Sequence, residues 1–138
     1  NEGLVHVLNV ALGSTAKPAG YFLALFSGST TPAANWTAAS FAAVANEIVS
    51  QTEGYTGATR PAWTPATATT GSIDNLASAA QMTIATSGTL NVTGAALLTS
   101  SQRGGTTGVL VSASAFAAPR VFQAGDLYEL GYRLNATV

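Results

Sequence analysis

The spacing of hydrophobic positions changes along the chain. In the first dozen residues Leu4, Leu8, Ala11 and Leu12 recur at helical spacing, with His6 and Asn9 off that stripe and Gly13 behind it. Apolar positions three and four apart share one face of a helix, and a glycine just past the last turn ends it readily. The spacing predicts a short amphipathic helix over residues 2–12. Ser14–Gly20, which contains Pro18 and Gly20, reads as a loop. Tyr21–Phe26 is apolar at every position, so as a strand it needs cover on both faces. We expect the core on one side and the first helix or a partner on the other.

Ser27–Asn35, with Pro32, reads as a turn-rich loop, and the Ala-rich stretch Thr37–Asn46 as a second short helix with Thr37 as its N-cap. Glu47–Pro65 is punctuated by Gly54, Gly57, Pro61 and Pro65 and reads as an extended loop carrying Tyr55 and Trp63. From Gln81 onward the period falls to two. Met82 and Ile84 face inward in Gln81–Thr86, and Leu90, Val92, Ala96 and Leu98 share a face in Leu90–Leu98. Gly104, Gly105 and Gly108 make a turn into Val109–Phe116, where Val109, Val111, Ala113 and Ala115 share a face. After the turn Ala124–Gly125–Asp126, Tyr128, Leu130, Tyr132, Leu134, Ala136 and Val138 alternate strictly with Glu129, Gly131, Arg133, Asn135 and Thr137. Short strands separated by turns, without strand–helix alternation, predict a mainly β fold. We expect one domain over residues 1–138, an antiparallel β-sandwich of jelly-roll type with a short helix at residues 2–12 and a second short helix.

Composition narrows the function. Charged residues make up 8% of the chain, against about 25% in ordinary soluble domains. Ala, Thr, Ser and Gly together exceed half of it. Having no Cys excludes disulfides, a thiolate nucleophile and Cys-based metal sites, and one His cannot build a polyhistidine centre. With five scattered Lys/Arg and a net charge of −1, nucleic acid is not an expected partner, because a phosphate backbone needs a clustered basic surface. The membrane is not expected either. The longest aromatic–aliphatic run, Tyr21–Phe26, is far short of the roughly 20 residues that a spanning helix requires. Leu4–Leu12 is interrupted by His6 and Asn9 and has no basic stretch before it, unlike a secretory signal.

Reagents for catalysis are few. His6 lies on the predicted helix with only Glu2 near its stripe, and reads as a surface or half-buried histidine. No nucleophile elbow, phosphate-binding loop or zinc-protease motif occurs, and Gly104–Gly108 reads as a hairpin turn. Asp126 and Glu129 are three apart, which puts them on opposite faces of a strand rather than across one glycosidic bond. A hydrolase would require Glu47, Glu53 and Asp126 to converge from separate segments. Of the sequons at Asn35, Asn91 and Asn135, one or two would arise by chance from seven Asn among abundant Ser and Thr, and they carry little weight. The chain offers no enzyme chemistry, and we expect neither a cofactor nor a metal.

Several segments fit together in one resemblance. A short helix ends in Gly13-Ser14-Thr15-Ala16 and is followed by Pro18-Ala19-Gly20-Tyr21-Phe22-Leu23-Ala24-Leu25-Phe26-Ser27. Then come Glu53-Gly54-Tyr55-Thr56-Gly57-Ala58-Thr59-Arg60-Pro61, Gly71-Ser72-Ile73-Asp74-Asn75 and Gln123-Ala124-Gly125-Asp126. Over nearly its full length the chain resembles a family of small tailed-phage virion proteins, above all the cement or capsid decoration proteins of short-tailed bacteriophages. The resemblance implies a non-enzymatic β-sandwich, made in the host cytoplasm, that sits on the outer surface of the virion capsid. There it would bridge neighbouring copies of the major capsid protein, as a homodimer, and stabilise the shell. The alternative is a tail or fibre module that binds a receptor or glycan through exposed aromatic rings. Interfaces favour aromatic anchors and few charges at their centres. The expected anchors are Leu4, Val5 and Leu8 on the first helix and Trp36, Tyr55 and Trp63 in the loops, with Glu129 and Arg133 on the last strand placed to pair across a dimer axis.

Overall fold

In the computed structural model, which describes residues 1–136, the chain is mainly β, with antiparallel sheets in a sandwich-like arrangement and two short α-helices. In chain order these are α1 (Glu2–Ala11), β1 (Phe22–Phe26), α2 (Ala38–Val44), β2 (Gly54–Tyr55), β3 (Ser72–Asp74), a 3-10 turn (Leu76–Ser78), β4 (Ala80–Ala85), β5 (Thr89–Leu98), β6 (Leu110–Gln123), β7 (Leu127–Leu130) and β8 (Arg133–Asn135). One sheet has the order β1-β5-β6 and a second β2-β4-β7, while β3 and β8 form a separate pair.

The two larger sheets face each other across the main core. Leu23 and Leu25 of β1 and Val92, Ala95 and Leu97 of β5 meet Met82 and Ile84 of β4, Tyr128 and Leu130 of β7, and Tyr55 of β2. The alternate residues of the first sheet point the other way. Ala24, Phe26, Ala96 and Leu98 pack with Leu110, Trp36 and the α2 side of the molecule, Ala38, Phe41 and Ala45. Strand β1 is therefore covered on both faces, as its unbroken apolar run requires, but its outer cover is α2 and Trp36. The first helix lies elsewhere, against β6. Phe26, Trp36 and Phe41 meet edge-on or tilted, with ring centroids 6.1–6.4 Å apart. Their approach depends on Gly94, where a Cβ would stand 2.2 Å from the Phe26 ring.

Local signals set the second helix. Thr37 caps it with a reciprocal box, its hydroxyl accepting from the Ser40 N–H while the Ser40 hydroxyl accepts from the Thr37 N–H. Glu47–Pro65 is largely irregular, as expected, except that Gly54–Tyr55 pairs with β4 as β2.

Three expected strand patterns are corrected. In β5 the inward parity changes at an irregularity between Val92 and Gly94, so Leu90 and Val92 share the main core with Ala95 and Leu97 rather than with Ala96 and Leu98. Thr93 sits at that break, and its hydroxyl donates to the Gly28 carbonyl at 2.6 Å. In β6 a second irregularity next to Leu110 puts Val111 on the main core but Leu110 and Ala113 on the other face. The long alternating segment at the end is two strands. Tyr132 N–H donates to Asn75 Oδ1 at 2.7 Å and Trp63 Nε1 donates to the Tyr132 carbonyl at 3.1 Å. Side chains thus take the backbone groups that a continuous ladder would use, and the chain passes from pairing with β4 to pairing with β3. The expected continuation through Thr137 and Val138 lies outside the described residues.

Candidate docking surface

Helix α1 meets the rest of the fold through its smallest residue. Gly3 is its one buried residue, and a Cβ there would fall 1.8 Å from the Val111 carbonyl oxygen. The inward stripe is Gly3, half-buried His6 and half-buried Val10. His6 Nε2 lies 3.1 Å from the Tyr21 hydroxyl, and the two rings meet edge-on. With Gly3 and His6 facing inward beside Val10, the larger aliphatic residues face out. Leu4, Val5, Leu8 and Leu12 are 57%, 55%, 49% and 84% exposed, with Val7 beside them. A groove of about 880 Å³ continues this surface, with Leu4 and Val7 on one wall and Ile73 and Leu134 on another.

One carboxylate anchors the helix. Glu2 Oε2 accepts from the Ala38 N–H at 2.8 Å, at the start of α2, and from the Leu110 N–H at 2.7 Å, at the start of β6. A single oxygen thereby joins three elements distant in sequence. Hydrogen bonds to an ionised acceptor are stronger than neutral ones, and both amides would otherwise be unpaired donors.

The other expected anchors lie inside the molecule. Trp36, Tyr55 and Trp63 are 7%, 1% and 8% exposed. Trp36 fills the space between α2 and β1, Tyr55 lies between the two sheets, and Trp63 holds Tyr132. These rings are core residues and present no platform to a partner: Tyr55 is on β2, and Trp36 and Trp63 pack against β1 and Tyr132. On the last strands, Glu129 accepts from Gln81 Nε2 at 3.2 Å. Arg133 pairs with Asp74 through its Nη2 at 2.9 Å. Both charges are engaged within the chain. Asp74 is held below the ordinary carboxylate range, first by the Leu76 N–H and then by Arg133.

The remaining carboxylates are also engaged separately. Glu47 is buried with Arg60 in a bidentate pair of 2.6 and 2.9 Å, and also accepts from the Gly104 N–H. Arg103 clamps the same region. Its guanidinium lies 3.5 Å from the centre of the Tyr55 ring and donates to the carbonyls of Tyr55, Gly57, Ile48 and Ser50. Burial pushes the Tyr55 hydroxyl up to about 12. Glu53 accepts from Thr86 Oγ1 and the Ser87 N–H, and its contacts with Ser87 and Thr86 hold its pKa below the usual carboxylate value. Asp126 accepts from the Gln123 N–H in the turn before β7. Each carboxylate thus serves a loop or a turn. Among the described residues no three His, Asp or Glu side chains gather where a metal ion could be held, and no helix is long and apolar enough to cross a membrane.

Leu12 and Glu2 were not singled out as functional positions in the sequence. Leu12 belongs to the Leu4–Leu8 stripe and could have been read with it, whereas nothing near Glu2 in sequence signals contacts 36 and 108 residues away. The geometry can therefore support contact between surfaces more readily than chemistry at a centre. No protein-family model matches the chain, and a search of curated proteins finds no match to it.

Proposed function

We propose that this chain is a structural virion protein that cements a phage head, attaching to the outside of the shell and bridging copies of the major capsid protein. One observation carries the reading. Helix α1 displays Leu4, Val5, Leu8 and Leu12 to solvent on a body with few charges. Exposed apolar residues gathered on one surface mark contact sites, above all where polar residues rim them, and an interface centre is poor in charge. The resemblance to capsid decoration proteins supplies the partner, the outer face of the major capsid protein, and the homodimeric state. Two linked copies would hold neighbouring shell subunits more firmly than one, because the second attachment is effectively intramolecular.

The test is sedimentation of purified protein with heads stripped of their decoration. Wild type should co-sediment and restore resistance to heating, and Leu4→Asp/Leu8→Asp should do neither while remaining folded. Heads equally robust with and without bound protein would refute the cementing role. The tail-tip alternative loses its motivating feature, since Trp36 and Trp63 are buried.

A further inference from the structure

Helix α1 is fastened differently from α2 and from the strands. The strands and α2 are held by the two apolar cores, to which α1 contributes no side chain. Its attachments are Glu2 to Ala38 and Leu110, the Asn1 amino group to the Ala34 carbonyl, Gly3 on the Val111 carbonyl, and His6 to Tyr21. Behind it, residues 12–17 are all exposed and join it to β1 without strand pairing. The helix has ten residues, below the roughly 12–15 that hold helical structure alone in water. Once detached it would melt, so detachment and loss of its internal hydrogen bonds are one event.

From these observations we propose that α1 is a latched arm. It opens as a unit while both cores stay closed, and the Glu2 carboxylate is the latch. Opening removes little apolar surface from contact, because the large aliphatic side chains of α1 already face solvent. What it breaks is polar and concentrated at the first turn. Glu2 is thus a positioning residue that sets where Leu4, Val5 and Leu8 stand relative to the sheets. The docking consequence rests on the proposed attachment through α1, whereas the latch itself is a property of the free protein.

Amide hydrogen exchange on the free protein, read residue by residue, tests this. In wild type the amides of Val5–Leu12 should exchange at least tenfold faster than those of Val92–Leu97 in β5. Glu2→Ala should accelerate the α1 amides a further tenfold or more and leave the β5 amides within twofold of wild type. Glu2→Gln keeps one carbonyl acceptor without the charge, and should fall between the two. The proposal is overturned if α1 exchanges at the rate of β5 in wild type, or if Glu2→Ala leaves α1 unchanged. It is equally overturned if all amides accelerate together, since opening would then be global. Failure of shell binding would leave these exchange rates where they are, so the two readings fail separately.

Discussion

Arg60 Nε and Nη2 face the two carboxylate oxygens of Glu47 at 2.9 and 2.6 Å, and neither side chain is exposed to solvent. The pair joins the residue after the α2 region to a loop that runs beside Ser100 and Gly105, whose carbonyls take further Arg60 donors. Desolvating two charges is costly, and much of that cost is offset by their mutual attraction and by the satisfied hydrogen bonds. Removing one partner leaves the other charged and alone. Arg60→Ala or Glu47→Ala is therefore expected to lower stability by about 3–5 kcal/mol. For a domain of this size the thermal midpoint should fall by about 10–20 °C. The double variant Glu47→Leu/Arg60→Met should lose much less, and thermal denaturation followed by circular dichroism compares them.

Burial separates two groups of apolar residues that look alike in sequence. Trp36→Ala should destabilise the fold by about 3–5 kcal/mol, the range for emptying an aromatic core position. Leu8→Ala should change it by less than about 0.5 kcal/mol, as for a surface substitution. Denaturant titration measures both. Equal losses would mean that α1 belongs to the core.

Acid should weaken the fold through Glu53 and Asp74. Both are more acidic folded than their ordinary values of 4.5 and 3.8, through the Ser87 and Thr86 contacts and through the Leu76 N–H with Arg133 respectively. A depressed folded pKa gives stability that is complete above the unfolded value and is lost as pH falls through the folded one. Stability should therefore be level from neutrality down to about pH 5 and decline below the two ordinary values. Glu53 is exposed and Asp74 half-buried at the surface, so the decline is shallow. Denaturant midpoints at pH 7 and pH 3 check it, and Glu53→Gln/Asp74→Asn should flatten the dependence.

The proposed attachment to the shell should respond weakly to salt. The docking surface carries Leu4, Val5, Leu8 and Leu12, and Glu2 is occupied within the chain. Screening acts on exposed charge pairs and leaves apolar burial in place. Less than tenfold release is expected between low and moderate salt, measured by sedimentation with heads.

How far the sequence could be read depended on the range of the forces involved. Thr37 and Ser40 are three apart, so the start of α2 is written locally, and the unbroken run Leu23–Phe26 demands cover on both faces wherever that cover comes from. Parity in β5 changes where Thr93 turns aside to bond Gly28, 65 residues away, and in β6 at a separate irregularity beside Leu110 set by its pairing with Leu98. The aromatic loops likewise depend on distant partners. Trp63 looks free in an irregular stretch until Tyr132 arrives to accept its N–H. In the docking surface the aliphatic stripe of α1 is legible, but its orientation is not. Gly3, a single missing side chain against Val111, turns that stripe outward.

The interruption at Tyr132 matters for the life of the protein before it meets any partner. Eleven alternating residues, Tyr128 to Val138, would make one long straight strand at a sheet margin, and such margins recruit identical strands into fibrils. Asn75 and Trp63 seize the Tyr132 backbone and divide the segment, leaving a four-residue β7 and a three-residue β8 in different sheets. In a chain of net charge −1, which gives its copies little mutual repulsion, that division shortens the strand edge on which another copy could pair.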